Sequence, residues 1–561
     1  MKKKVTCIFC MMLIVSFLPT IEASGNVLNS AKRYTKDFDI QGAIDNSSNG
    51  DIIIVPDGTY PGEIDFKGMA ITVMSENGPA NCIIDGDDTT FGVKFENNEN
   101  SDSILHGFTI TNCRTESICG AGIFCDHNTS PTIDNCIISE NTATDAYYGQ
   151  MFGGGGVYCG WYSSPSFNDC IISNNLAEST EYGETAGGGG VLCGRFCTPT
   201  FTSCEIINNL ALGGYNGFAY GGGVCGPYAS PEFLSCLIAN NSADISGGID
   251  AHACGGGLVF KFGATPVFKS CMIIDNVAQA SGGGLYIRYS AHAIIDGCTF
   301  SGNKAFGGGE FGLGGAISCM SSASAYIRSS IFWDDYPKEI YICGEYGEDV
   351  LMDINYSDIQ GGEDEIVISA WYPNILKYGK MNLVSDPCFI NSENGDYHLQ
   401  LISPCVDAGE PNLTMRDWAF DFDMEPREYD IPWIIFPLRG PMDIGADEII
   451  AEPAPELSIE SITGGFGVTS VIKNIGYADA TNITLNITIE GGLIIKLPII
   501  NYEIESLEAN ESMGITMQVF GIGLGIFTPI PEMTIGVECD EGSKDESSVE
   551  AKIFFILVTV Q

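Results

Sequence analysis

Between Gly120 and Asp335 apolar residues recur two apart in short runs, and the runs themselves recur every 27 to 35 residues. The clearest copies are GGGGVYCGWYSSPSFNDCIISNN (residues 153–175) and GGGGVLCGRFCTPTFTSCEIINN (187–209). Aligned on a proline, the copies anchor at Pro131, Pro165, Pro199, Pro231 and Pro266, with Ala293 and Ala325 in the last two slots. Two residues past the anchor stand Ile133, Phe167, Phe201, Phe233, Phe268, Ile295 and Ile327; seven past it stand Ile138, Ile172, Ile206, Ile238, Ile273, Phe300 and Phe332. Six before it stand Cys125, Cys159, Cys193, Cys225, Phe260, Ile287 and Cys319; five after it, Cys136, Cys170, Cys204, Cys236, Cys271, Cys298 and Ser330. Ten after it runs a column of Asn141, Asn175, Asn209, Asn241, Asn276 and Asn303, closed by Asp335.

Apolar positions two apart are strand periodicity. Three such strands per copy cannot bury a core alone, but stacked copies can, because strands about 4.8 Å apart set like residue on like. The pattern predicts an all-β chain built on a parallel β-helix. Glycine runs open the first strand of each copy, where a bend or close backbone approach is needed. The asparagine column predicts a turn that uses an amide ladder and tolerance of left-handed backbone.

Upstream, Ile40 to Asp45 reads as a short amphipathic helix able to cap the open end, followed by strands at 51–55, 64–66, 71–74 and 82–85. Residues 40–86 and LHGFTITN (105–112) resemble the opening coils of pectin-lyase-like right-handed parallel β-helix proteins, and the GGG…SP…C…N copies resemble repeats of secreted prokaryotic members. The resemblance spans about 40–449. It implies right-handedness and a closing segment over the bottom coil, for which DPCF, GDYHL, SPCVDAG and DIGADE (386–448) are the matching stretches. Residues 471–492 resemble immunoglobulin-like adhesion-related (CARDB-like) domains of prokaryotic surface proteins. The expected organisation is a signal peptide (1–24), cap and first coils (25–112), β-helix repeats (113–375), closing segment (376–450), linker (451–455) and a small β-sandwich (456–561). The signal peptide rests on Lys2, Lys3 and Lys4 before the apolar run 5–18, and it predicts a secreted or cell-surface protein. No later run reaches the ~20 apolar residues of a membrane span.

Charge narrows the partners. With 72 acidic and 25 basic residues the net charge is −47, which argues against nucleic acid. Carboxylates are calcium's preferred ligands, so calcium is the one cofactor the composition suggests, at no defined site. Cysteines in strand columns read as unpaired apolar residues, with disulfides the alternative in an exported chain. Cys388 and Cys405, outside the columns, are the bridge candidate.

The resemblance implies acidic polysaccharides as substrates of the fold's enzymes, whose lyases combine calcium-binding carboxylates with an Arg or Lys base and whose hydrolases combine aspartates with a His and an Arg-Lys pair. Neither set is legible here. His106-Gly107 belongs to a coil motif, and Asp87-Asp88 and Asp334-Asp335 read as solvated turn acids. What recurs instead is a strip of cations and aromatics just before the anchors: Trp161, Tyr162, Arg195, Phe196, Tyr228, Lys261, Phe262, Arg288 and Tyr289, with Arg328 facing outward as well. Such a strip suits stacking of sugar rings and pairing with uronate carboxylates, against the alternative of local turn packing. The inserts at 142–151, 178–186 and 213–220, with Tyr147, Tyr148, Tyr182, Tyr215 and Tyr220, are expected to collect beside it. The reading is a non-catalytic surface protein that binds glycans or mediates adhesion. A calcium-dependent polysaccharide lyase is the alternative.

Overall fold

The structure, a computed structural model, describes residues 32–33, 38–116, 119–145, 147–148, 151–248, 252–307, 314–344, 349–369, 374–411, 420–427, 442–449, 454–476, 478–491, 493–496, 501–523, 530–555 and 557–560. The expected signal peptide lies outside them, as does most of the expected linker. Among the described residues no helix is long and apolar enough to cross a membrane.

The repeats form a parallel β-helix, but each central copy contributes five strands instead of three. In one copy these are Val157–Cys159, Ser166–Asn168, Ile171–Ser173, Leu176–Glu178 and Thr185–Gly187. Stacking of successive copies produces a first sheet of 11 strands, a second of 13, a third of 11, a fourth of 7 and a fifth of 5. The interior lies between the first three. Phe167, Phe201, Phe233 and Phe268 pair in register on the second sheet, their rings parallel at about 5 Å. Ile138, Ile172, Ile206, Ile238, Ile273, Phe300 and Phe332 do the same on the third.

The predicted asparagine column is a buried ladder. Asn209 is typical: its Nδ2 donates to the Ile172 carbonyl at 2.8 Å and to Asn241 Oδ1 at 3.0 Å, while its Oδ1 accepts from the backbone N and the Nδ2 of Asn175. Asp335 ends the ladder by accepting from Asn303 N and Nδ2, so it is a buried structural acid and not a solvated turn residue. The left-handed residues are the ones before the ladder, Glu140, Asn174, Asn208, Asn240 and Asp275. The ladder side chain must point inward, and the neighbouring residue makes the turn.

One glycine run explains the motif. Gly188 has φ +65; a Cβ on Gly189 would lie 2.4 Å from the Leu210 carbonyl of the fourth sheet; a Cβ on Gly190 would lie 3.0 Å from the side chain of Asn209. The run thus bends the chain, admits the fourth sheet and seats the ladder.

Three further expectations are corrected. The cysteine column slips at Cys225: Gly226, not Cys225, pairs with Phe260, and Cys225 pairs with Leu192 and Val259 on the sheet's outer face. A one-residue shortening of the following turn hides this slip when copies are aligned on Pro231. Second, the closing segment does not simply cover the bottom coil. Tyr397 and Ala446 pack on Ala239, Met272 and Ile274, and Leu399, Cys405, Val406 and Ile444 pack with Ile331, so the segment runs along the outer face of the third sheet. Third, Cys388 and Cys405 are not bridged: Cys405 Sγ donates to Asp358 Oδ2, and Cys388 Sγ to the Asp386 carbonyl. The 20 described cysteines are all free, and the thiols of the column five past the anchor donate to carbonyls, as Cys170 does to Ile133 O and Asn168 O.

At the top, helix α1 (Ile40–Asp45) is capped by Asp39 and buries Ile40, Ala43 and Ile44 against the first coil. From Leu457 onward two antiparallel sheets enclose a core of their own that includes Val468, Ile483, Leu485 and Ile535.

Candidate functional site

The inserts carry strands of the fourth and fifth sheets at their ends, joined by turns at 179–184 and 214–217, and they reshape the predicted strip. The first sheet's outer face carries Phe124, Tyr158, Leu192, Cys225, Val259, Tyr286 and Tyr341. These side chains form a buried cluster that takes in Cys254 of the fifth sheet, so the first sheet is buried on both faces. The two added sheets approach one another through Ala211, Ala219, Ala243 and Ala253, whose small side chains permit close packing.

At the turns from first to second sheet, Tyr162, Phe196, Tyr228, Phe262 and Tyr289 form a continuous column. Their successive centroids lie 5.3, 6.4, 5.0 and 5.0 Å apart. All five have φ between 55° and 61°, a conformation that costs non-glycine residues energy and that the stacked turns hold in place. Trp161 is 44% exposed, with its backbone N donating to Asp126 Oδ1. Arg195 lies over the Tyr228 ring at 4.7 Å. Arg288 lies over Tyr289 at 4.4 Å and donates to Ser321 Oγ and Tyr286 Oη.

Between this column and the fifth sheet opens a cleft of about 370 Å³, lined on one side by Trp161, Arg195, Tyr228 and Phe262 and on the other by Thr185, Phe218 and Tyr220. Tyr158 and Leu192 also line it. Lys261, read from sequence as an outward cation, is 5% exposed; its ammonium sits 3.3 Å from the centre of the Tyr220 ring. Burial pushes its amine down to about 8, although Cys225 and Cys254 act in the opposite sense.

The structure therefore gathers seven of the nine predicted strip residues along one line of turns, with Lys261 and Arg288 paired in register at the ends of the first-sheet strands that lead into it. Five of the nine line the cleft: Trp161, Arg195, Tyr228, Lys261 and Phe262. Arg328 belongs elsewhere, on the second sheet, paired with Asp353 and Glu410. Of the insert tyrosines, Tyr220 lines the cleft, Tyr182 and Tyr215 meet one another at 6.0 Å, and the side chains of Tyr147 and Tyr148 lie outside the described residues. Sequence reasoning missed Phe218, Thr185 and Leu192. Their signal was an alanine column twelve residues past each anchor (Ala143, Ala177, Ala211, Ala243, Ala278, Ala305), which marks the fourth sheet and hence a wall beyond it.

Among the described residues one group gathers metal-ligating atoms: His398, Asp423 and Asp447, within 4.8 Å of one another on the closing segment. His398 Nε2 meets Asp423 at 2.6 Å and Nδ1 meets Asp396 at 2.5 Å. These bonds, Asp423 first, lift the imidazole to about 10, so it serves as a bridging cation between carboxylates. Among the described residues that line the aromatic cleft there is no carboxylate.

Residues 71–252 and 186–348 match the family model described as the right handed beta helix region. No curated protein matches the chain. Among solved structures, the siphovirus 9NA tailspike receptor binding domain is similar at 8% identity, over 91% of this chain and 97% of that one, with a TM-score of 0.18. A likeness of that size carries no argument about this chain.

Proposed function

We propose that this right-handed β-helix protein is an exported, non-catalytic surface protein that binds glycan chains in the cleft beside its aromatic column. The observation that carries the reading is the cleft itself: rings from Trp161, Tyr228, Phe262, Phe218 and Tyr220 converge on a volume within the range of ligand pockets, about 300–1,000 Å³. Aromatic faces stack on the apolar faces of sugar rings, and the column continues past both ends of the cleft for a chain to follow. The β-helix supplies the rigidity that such a site needs, since every strand is hydrogen-bonded to the copy above and below. We read the antiparallel carboxy-terminal unit as an immunoglobulin-like spacer or attachment domain.

Retention of the purified protein on immobilised polysaccharides, acidic and neutral, with and without calcium, tests the proposal. The expected result is selective retention with no rise in absorbance from unsaturated products. Product absorbance that a chelator abolishes would establish a lyase in its place, and absence of retention on every glycan would overturn the binding reading.

A further inference from the structure

We infer that the cleft is an anion-reading subsite: it accepts a sugar bearing a carboxylate or sulfate group, and Lys261 is the residue that reads the charge. The inference rests on the glycan reading above and deepens it.

Three observations carry it. The chain has 72 acidic and 25 basic residues, yet the described residues that line the cleft include two cations and no acid. A cleft drawn at random from this composition would be acidic, so its lining is set against the field of the whole chain. Second, Lys261 is buried and among the described residues its ammonium meets aromatic rings, Tyr220 at 3.3 Å and Phe262 at 5.8 Å, with no carboxylate beside it. A buried charge without a counter-charge is costly, and proteins retain one where a partner arrives from outside. The depressed amine is the same cost seen as acidity, and an incoming anion would reverse it. Third, the two cations are placed differently. Arg195 is exposed at the mouth, spread over Tyr228, whereas Lys261 lies under the fifth sheet. A ligand can reach Lys261 only by inserting a charged substituent end-on while its ring stacks at the mouth. Because an ammonium is a point charge, it accepts carboxylate and sulfate alike.

Calorimetric titration of the full chain with galacturonic acid oligosaccharides, with their neutral methyl esters and with a sulfated oligosaccharide tests this. Wild type is expected to bind at least one anionic form roughly tenfold or more tighter than the neutral one, in line with hydrogen bonds to charged groups. Lys261→Met should remove that preference, read as the ratio of anionic to neutral affinity within the variant itself, while its melting temperature stays level or rises, because a buried cation is replaced by an apolar chain of similar shape. Preference retained in Lys261→Met, or equal binding of charged and neutral forms by wild type, would overturn the inference with glycan binding intact. Binding of none of the three, together with no retention on any polysaccharide, would overturn both readings. Carboxylate-only or sulfate-only tightening would each support the inference and identify the substituent.

Discussion

Replacing Asn209 with leucine is expected to cost roughly 3–6 kcal/mol, because it strands several buried polar groups at once. The Asn175 backbone N–H and one Nδ2 hydrogen would lose their acceptor, and the Ile172 carbonyl would lose its donor. None of these groups can reach water, since Asn175 and Asn209 are each 1% exposed. Asn209→Asp is expected to fall in between. Asp335 shows that a carboxylate can accept the two ladder donors, but it cannot donate onward, which is why an acid occurs where the ladder ends. Chemical denaturation would give the total, and amide exchange at 171–178 and 205–210 would show where protection is lost. A loss below about 1 kcal/mol would mean that the ladder is packing and not hydrogen bonding.

The second large effect is on acidity. Several carboxyls are buried by the closing segment and the lower coils, and burial is the first cause of each rise: Asp358 to about 7, Asp421 and Asp296 to about 6. Asp335, Glu339 and Asp443 are raised for the same reason. An acid whose folded value exceeds its unfolded value near 3.8 binds more protons when folded. Its stabilising contribution is complete below about pH 4 and is lost as pH rises through 6 to 7. His398 adds in the same direction, its contribution present below about 6.5 and lost toward 10. The melting temperature should therefore rise by roughly 5 °C or more on going from pH 8 to pH 5. Asp358→Asn should raise stability at pH 8 and flatten part of the slope. A melting temperature that is flat or climbs with pH would contradict this placement of the carboxyls.

The columns that could be read from sequence are those in which identical neighbours stack and nothing covers the strand from outside. Phe201 obeys both conditions; Ile206 obeys the first alone, since the closing segment packs on Ile207 of its strand, but the burial of both inward side chains follows from period two. Asn209 was legible because an amide ladder requires the same residue in every copy. Cys225 was misplaced because a proline anchor fixes register only on its own side of a turn. Lys261 was misread because its burial comes from Tyr220, more than forty residues away and in a different sheet. The strands of that sheet have too few residues each to show a period of their own, since Phe218–Tyr220 and its neighbours are three-residue elements. The aromatic strip was found because it repeats with the anchors; the wall that turns it into a cleft does not repeat with them.

Hydroxyl-radical footprinting with and without a retained glycan shows whether the glycan is held in this cleft. Trp161, Tyr228 and Phe262 are oxidisable residues of the cleft, and Tyr182, Tyr215 and Phe466 are exposed controls that lie outside its lining. At saturating glycan the cleft residues are expected to be protected while the controls oxidise at an unchanged rate. Unchanged oxidation of the cleft residues while the glycan is demonstrably bound would place the binding site elsewhere on the protein.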